Sequence, residues 1–172
     1  MEKVKIVLDA DVILHFCKGE LLSMLPSILP EYEFVLLDYV RDELHGEVRT
    51  QIDNQIYLLK NITLLEFDPS GEMMREYARV FSDLKRGKGE SACMVYCRFT
   101  NNVIGSSNLS DIQDYCEEFH ITFLTTMDFI YYAYHRGLIT VEQCRSFVEL
   151  VKARGSKLPD VNIEHYIPKC QI

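Results

Sequence analysis

Short apolar runs, rich in β-branched residues, alternate along the chain with longer segments in which apolar positions recur every three or four residues. The short runs predict buried strands, whereas the longer segments predict amphipathic helices. Five strands are predicted, at residues 4–8, 33–37, 62–67, 103–104 and 121–124. Strands that alternate with helices favour a three-layer α/β/α fold with a central parallel sheet covered on both faces.

Polar residues, glycine and proline mark the ends of the predicted helices. Asp38 is predicted to be the N-cap of a helix, and Glu90 is predicted to open another helix after a glycine-flanked turn. A helix is also predicted over residues 21–28, and a further one over residues 52–59, where three apolar residues share one face. No internal repeat or linker interrupts this pattern.

Length and composition favour a single domain over residues 1–172, with an irregular tail from about residue 155. No apolar run approaches the roughly 20 residues of a membrane span, so a cytoplasmic protein without a membrane partner is predicted. The six cysteines lack a zinc-binding spacing and are predicted to be core residues. The net charge of −8 argues against a protein that coats nucleic acid, but not against an enzyme that meets phosphate through a bound cation.

Polar residues follow the predicted strands at the ends where a parallel sheet binds its ligands. They are Asp9 and Asp11 after the first strand, Asp38 and Glu43 after the second, and Ser106, Ser107 and Asn108 after the fourth. Glu90 is a further carboxylate, at a predicted helix start. Carboxylates crowded at a buried edge repel one another, and a hard divalent cation relieves that repulsion. The pattern therefore indicates a site for Mg²⁺ or Mn²⁺, which activates water for attack on phosphorus.

Five segments, in order along the chain, resemble the motifs of PIN domains. They are residues 5–13 (KIVLDADVI), 40–44 (VRDEL), 87–92 (GKGESA), 103–108 (VIGSSN) and 125–139 (TTMDFIYYAYHRGLI). The first resembles the family's opening strand, which an aspartate closes. The third, a glycine-x-glycine-glutamate helix start, is the most distinctive. The resemblance runs over about residues 4–145 and implies a PIN-like α/β/α domain.

The resemblance to PIN domains also implies an activity. Members of that family are metal-dependent ribonucleases that use Mg²⁺ or Mn²⁺, often as the toxin of a toxin–antitoxin pair. Asp9, Glu90 and Asn108 are expected to bind the metal directly or through water. Glu43 and Asp111 are expected to support that site or to bind a second metal. RNA is the implied substrate, and an antitoxin protein and a second copy of this chain are the implied partners.

Two residues depart from the PIN pattern. Asn108 stands where the family usually has an aspartate, and Asp11 is a carboxylate where an amide or a hydroxyl is frequent. The amide of Asn108 still offers a neutral oxygen to a metal. Asp111, one helical turn further on, is the alternative carboxylate ligand. The departure leaves open a second interpretation, in which the domain kept the fold, lost turnover and serves as a binding or regulatory protein.

A third interpretation is a haloacid-dehalogenase-like phosphatase. The segment Asp9-Ala10-Asp11-Val12 after an apolar strand resembles that family's aspartyl nucleophile and its acid partner, which implies a covalent phosphoryl mechanism. That family also requires a late pair of acids after a strand, whereas Asp128 stands alone here. Glu90 has no place in its pattern.

Residues that contact the substrate are less clearly marked. Lys85, Arg86 and Lys88 form the clearest local basic cluster, which either steers a phosphate backbone toward the metal or is a solvated run of charge. Ser106 or Ser107 is predicted to orient the attacking water by hydrogen bonds.

Histidines and aromatic residues give no distinct site signal. The five histidines have no paired spacing, and each is interpreted as structural or exposed. The aromatic group Phe129, Tyr131, Tyr132 and Tyr134 is explained by packing at least as well as by base stacking.

Overall fold

A five-stranded, all-parallel sheet forms the centre of the molecule, as seen in a computed structural model that describes residues 3–83 and 86–172. The strands are β1 (Lys5–Leu8), β2 (Glu33–Leu37), β3 (Thr63–Leu65), β4 (Val103–Gly105) and β5 (Phe123–Leu124). Their order in the sheet is β3-β2-β1-β4-β5. Helices flank the sheet, which confirms the predicted α/β/α class.

Helices connect the strands along the described part of the chain. They are α1 (Ala10–Lys18), α2 (Leu25–Ile28), α3 (Asp38–Glu43), α4 (Gly46–Asp53), α5 (Gly71–Asp83), α6 (Lys88–Thr100), α7 (Leu109–Glu118), α8 (Thr126–His135) and α9 (Val141–Ala153). A π-helical turn, Asn54–Leu58, continues α4, and a 3-10 helix, Ile163–His165, lies near the end of the chain.

The central strand β1 is where the strand order reverses. Ile6, Val7 and Leu8 are fully buried, because β2 and β4 pair with both edges of β1 and helices cover its faces. Leu8, the last residue of β1, pairs with Leu36 in β2 and with Gly105 in β4. The residues that follow β1 and β4 therefore emerge side by side, at the crevice where open parallel sheets bind ligands.

Two predicted helices differ from the structure. The helix predicted over residues 21–28 is only α2, since Pro26 lacks an N–H and fits only the first turn. The helix predicted over residues 52–59 ends as α4 at Asp53 and continues as the π-helical turn. That turn changes the rotation of the chain, so Leu59 is 53% exposed rather than on the apolar face with Ile52.

Asp38 is not the N-cap of α3, as predicted, but its first residue, and Leu37 is the N-cap. The Asp38 carboxylate accepts a hydrogen bond from its neighbour Tyr39 (2.9 Å) and another from the Phe67 backbone N–H (3.0 Å). The second bond joins the chain beyond β3 to the start of α3, so the Asp38 carboxylate binds the first turn of the helix and also fixes that loop.

The chain beyond α9 contains only the 3-10 helix, and it still contributes apolar side chains to the core. Leu158 and Ile163 are buried, and the Tyr166 hydroxyl donates to Asp128 at 2.8 Å. Among the described residues, no helix has both the length and the apolar character that crossing a membrane requires.

Candidate functional site

Asp9 lies at the carboxyl end of β1 and is 5% exposed. Its backbone N–H donates to the Gly105 carbonyl (2.8 Å), which continues the pairing of β1 with β4. One carboxylate oxygen accepts from the Ala10 N–H (2.8 Å), and the other accepts from the Ser106 hydroxyl (3.2 Å). A capping carboxylate usually binds the second or third N–H of the helix. Asp9 is the N-cap residue of α1, but its carboxylate binds the first N–H of the helix, and its other oxygen binds Ser106 after β4.

Asp11 joins the start of α1 to the segment after β4. Its Oδ1 accepts from the Val12 N–H (2.6 Å), and its Oδ2 accepts from the Ser107 N–H (2.8 Å). The second bond fixes the position of Ser107 relative to α1. Asp11 therefore lies beside Asp9 with each oxygen already accepting one N–H.

Glu90 is the third residue of α6, because the helix begins at Lys88 rather than at Glu90 as predicted. The side chain is 7% exposed, and its Oε1 accepts from the Asn108 amide nitrogen at 3.0 Å. The same nitrogen donates to Asp111 Oδ2 (2.7 Å), while Asn108 Oδ1 accepts from the Ser110 hydroxyl (2.9 Å). The Asn108 amide thus bridges two carboxylates and turns its nitrogen, not its oxygen, toward them.

Glu43 lies at the end of α3 and binds the beginning of α6. Its Oε1 accepts from the Gly89 N–H at 2.7 Å, which satisfies one of the free donors of the first helical turn. A Cβ on Gly89 would lie 2.9 Å from Glu43 Oε2. The close approach of Glu43 therefore requires glycine at residue 89 of the predicted third motif. Gly89 precedes Glu90, so Glu43 contacts the chain next to that carboxylate.

The predicted basic cluster is divided among different partners. Arg86 forms an ion pair with Asp111. The Lys88 ammonium lies 4.2 Å from the centre of the Tyr39 ring, in a cation–π contact. Lys85 lies outside the described residues.

The buried carboxylates raise one another's pKa. The pKa of Asp9 lies well above its ordinary value, mainly because of burial, and the charges of Asp11 and Glu90 add to the effect. Burial also raises the pKa of Asp11. The pKa of Glu90 is raised to about 7 by burial and by the charge of Asp111, against the opposing charge of Arg86. Asp9, Asp11 and Glu90, from distant parts of the chain, thus lie close enough to repel one another.

The carboxylate oxygens near the carboxyl ends of β1 and β4 are of the kind that binds a divalent cation. In the described ranges, no lysine or arginine forms an ion pair with Asp9, Asp11 or Glu90. Over the same ranges, no group of three or more His, Cys, Asp and Glu side chains has the arrangement of a complete metal site. Mg²⁺ needs no such cage, because it keeps several waters and is often held by one or two carboxylates and a substrate phosphate. Asp9 and Glu90 supply hard oxygen donors of that kind.

A polar network that sequence patterns did not identify lies behind Asp11. His15 is 7% exposed, and its Nδ1 is 2.8 Å from the Thr126 hydroxyl. The Ser107 hydroxyl donates to Thr126 Oγ1 (2.8 Å) and accepts from the Thr126 N–H (2.8 Å). Burial lowers the pKa of His15 to about 4, so the ring is neutral at neutral pH. The partners are far apart in sequence, and no local spacing reveals them.

The two predicted serines serve the carboxylates and this network. The Ser106 hydroxyl donates to Asp9 and also accepts from the Asn108 N–H at 3.3 Å. Ser107 binds Asp11 through its backbone and Thr126 through its hydroxyl. Both hydroxyl groups thus position parts of the site.

The aromatic group at the start of the last predicted segment packs in the core and against the tail. Phe129 is fully buried in the core, and Tyr131 packs against Tyr166 of the tail with ring centres 5.9 Å apart. Asp128 is also fully buried, and its Oδ2 accepts from the backbone N–H of Thr125 (2.6 Å) at the start of α8. The one acid available to the phosphatase interpretation after β5 is therefore occupied in capping a helix.

Comparison with models of known protein families gave no match, and none of the curated proteins compared matches this sequence.

Proposed function

We propose that the protein is a divalent-metal-dependent ribonuclease of PIN type, which hydrolyses the phosphodiester bonds of RNA. The observation that carries this proposal is the proximity of Asp9, which follows β1, and Glu90, in the first turn of α6. Both are buried, and a chain of hydrogen bonds through Ser106 and Asn108 joins them. The charge of Glu90 contributes to the raised pKa of Asp9, and neither carboxylate has an ion-pair partner among the described residues. A buried, unpaired pair of carboxylates is costly unless a cation or a proton compensates it.

Asp9 and Glu90 would hold Mg²⁺ or Mn²⁺, with Asp11 beside them. The bound ion supplies an activated water and stabilises the negative charge that develops on the phosphorus oxygens. The remaining residues keep the carboxylates in place: Ser106 holds Asp9, and the Asn108 amide holds Glu90. Glu43 fixes the first turn of α6 through Gly89, and thereby the position of Glu90.

The same proposal includes partners that follow from the PIN resemblance. RNA is the substrate, the protein acts in the cytoplasm, and it pairs with a second copy of itself. As the toxin of a toxin–antitoxin pair it would also bind an antitoxin protein. These partners are proposed only because the sequence resembles PIN domains. If the protein does not cleave RNA with a metal ion, the reason for proposing them is lost.

A second candidate function is a binding or regulatory protein with the same fold and no turnover. The observation that favours it is the Asn108 amide, which donates to both Glu90 and Asp111 and so neutralises part of the negative charge that a metal would compensate. The ion pair of Arg86 with Asp111 acts in the same direction. In this case the protein would bind Mn²⁺ weakly and cleave no RNA.

The test is cleavage of mixed RNA by the purified protein with Mn²⁺, with and without a chelator. Asp9→Asn and Glu90→Gln should each lower the rate by more than about a hundredfold, since groups that only orient metal ligands are already worth about 10–100-fold. Matched controls are Asp114→Asn and Glu149→Gln, which change exposed carboxylates of α7 and α9. Both controls should cleave at the rate of the unchanged protein.

Cleavage that persists in both Asp9→Asn and Glu90→Gln would refute the proposed chemistry. Calorimetric titration with Mn²⁺ separates the two candidates when no cleavage is seen. Binding that depends on Asp9 but yields no cleavage supports the regulatory protein. A phosphoryl analogue such as beryllium fluoride that binds at Asp9 would instead support the phosphatase interpretation.

A further inference from the structure

The outer face of α5 carries apolar side chains that the fold leaves exposed. Met74, Tyr77 and Phe81 lie three, four and seven positions apart and so share one face of the helix. Met74 and Phe81 are each 45% exposed. Large apolar groups that remain together in water often mark a binding surface.

The rings on this face are ordered by a core contact. Tyr77 and Phe81 are parallel to within 4°, with ring centres 6.0 Å apart. Tyr77 packs edge-on against Tyr39 (5.8 Å) and against Phe67 (5.4 Å), and Phe67 is buried. The Phe81 ring is thus held in a fixed orientation by an anchored cluster. Phe81 and Lys88 are exposed, whereas Tyr39 and Tyr77 are half-buried. We call these four residues the aromatic surface.

The aromatic surface adjoins the candidate metal site. Lys88, the first residue of α6, lies over Tyr39, and the next two residues are Gly89 and Glu90. Glu43, which binds the Gly89 N–H, also lies close enough to Tyr77 for its charge to contribute to the raised pKa of that phenol. A chain that contacts the aromatic rings would therefore continue past Lys88 toward the carboxylates.

We infer that the aromatic surface binds the bases of single-stranded RNA and leads the strand to the carboxylates, an inference that depends on the proposed ribonuclease function. Unpaired bases have free faces that stack on aromatic rings, whereas bases in a duplex are already stacked and paired. Stacking needs no strongly basic surface, which suits a chain with a net charge of −8. The single Lys88 ammonium is placed to meet a backbone phosphate between the rings and the site.

The first experiment measures binding of a labelled single-stranded RNA by fluorescence anisotropy, in the presence of a chelator so that no cleavage occurs. Phe81→Ala should weaken binding by about fivefold or more, because a base–aromatic stack contributes that much or more to affinity. Phe81→Tyr should restore it. Phe99→Ala is the matched control, since Phe99 is also exposed but lies at the opposite end of α6.

A second experiment uses the absence of tryptophan from the sequence. In Phe81→Trp the new indole is the only tryptophan, and stacking on an RNA base should quench its fluorescence. Phe99→Trp should show no quenching under the same conditions. Double-stranded RNA should quench Phe81→Trp much less than the single strand does.

The outcomes separate this inference from the proposed function. If Phe81→Ala binds RNA as tightly as the unchanged protein and cleaves it with the same KM, the aromatic surface has no such role, although the ribonuclease proposal stands. If Phe81→Trp is quenched by RNA but Asp9→Asn cleaves normally, the inference stands and the assigned chemistry fails. Quenching that follows protein concentration without RNA would show that a second copy covers this surface, which overturns the inference.

Discussion

Gly89 and Glu43 occupy the same small space at the start of α6. The Glu43 carboxylate binds the Gly89 N–H at 2.7 Å, and a Cβ on residue 89 would lie 2.9 Å from its other oxygen. The carboxylate is the end of a flexible side chain, so it would move away rather than force the backbone to shift. The contact between Glu43 of α3 and the start of α6 therefore requires glycine at residue 89.

This contact predicts that substitutions of Glu43 and Gly89 are coupled. Glu43→Ala should lower the free energy of unfolding by about 1 kcal/mol, the usual cost of removing a side chain that satisfies a free N–H at a helix start. In the Gly89→Ala protein the carboxylate is already displaced, so Glu43→Ala should cost almost nothing more. The measurement is a double-mutant cycle by urea unfolding.

Gly87→Ala provides the control for this cycle. Among the described residues, a Cβ on Gly87 would meet only the Glu90 Cβ, at an ordinary 3.8 Å. The residue has an extended conformation that alanine also adopts. Glu43→Ala should therefore cost the same in the Gly87→Ala protein as in the unchanged one. Equal costs in all three backgrounds would mean that Glu43 does not act through its contact with Gly89.

At the scale of elements, Thr126 links three parts of the fold. Its hydroxyl contacts His15 of α1 and Ser107 after β4, while Thr126 itself begins α8. Thr126→Val keeps the shape of the side chain but removes both hydrogen bonds. The free energy of unfolding should fall by about 1–3 kcal/mol, the cost of leaving buried polar groups without partners. Urea unfolding measures this effect.

Thr100→Val is the matched substitution at an exposed position. The Thr100 hydroxyl bonds only locally, to the Tyr96 carbonyl (2.6 Å) and the Asn102 amide (2.8 Å). Its replacement should change the free energy of unfolding by no more than about 0.5 kcal/mol. A similar cost for the two substitutions would indicate that the buried network adds no stability beyond that of an ordinary surface bond.

The strands were predictable because they read as short apolar runs; four of them are largely buried, whereas the edge strand β3 is only partly buried. Each of the five predicted runs overlaps a strand, although β3 and β5 at the sheet edges are shorter than predicted. The helical periodicity was less reliable. Pro26 confines α2 to a single turn, and the π-helical turn after Asp53 depends on backbone geometry that apolar spacing does not encode.

At the scale of the whole molecule, local motifs gave the residues of the candidate site but not their contacts. The glycine-flanked start of α6 pointed to Glu90, and the polar end of the first strand pointed to Asp9. The bridging role of Asn108, the ion pair of Arg86 and the buried position of His15 depend on packing between distant segments. No local spacing records such contacts, so sequence reasoning could not supply them.

Asp9, Asp11 and Glu90 lie close together, and their titration makes the stability of the metal-free protein depend on pH. The pKa of Glu90 is about 7 in the folded protein, compared with its ordinary 4.5. Between these values Glu90 binds more protons in the folded state than in the unfolded state, so its contribution to the free energy of unfolding falls as pH rises. Asp9 and Asp11, whose pKa values are also raised, act in the same direction. His15, whose pKa is lowered to about 4, contributes in the opposite direction.

Glu90→Gln should remove its share of this dependence. Urea unfolding in chelator, from about pH 4.5 to about pH 7, should show a smaller loss of stability in Glu90→Gln than in the unchanged protein. Glu149→Gln, which changes an exposed glutamate of α9, should keep the full loss. Identical pH dependence in all three proteins would mean that Glu90 is not protonated in the folded state at neutral pH.

A metal ion and a proton compensate the same negative charges, so Mn²⁺ should reverse the pH effect. At low pH, protons occupy the carboxylates and Mn²⁺ should add little stability, whereas near neutral pH it should raise the free energy of unfolding because it binds only the folded state. The gain should be much smaller in Asp9→Asn and in Glu90→Gln. Since the readout is unfolding, it tests metal binding even if Asn108 has left the site inactive. A gain independent of pH, or one that both variants retain, would place the ion elsewhere on the molecule.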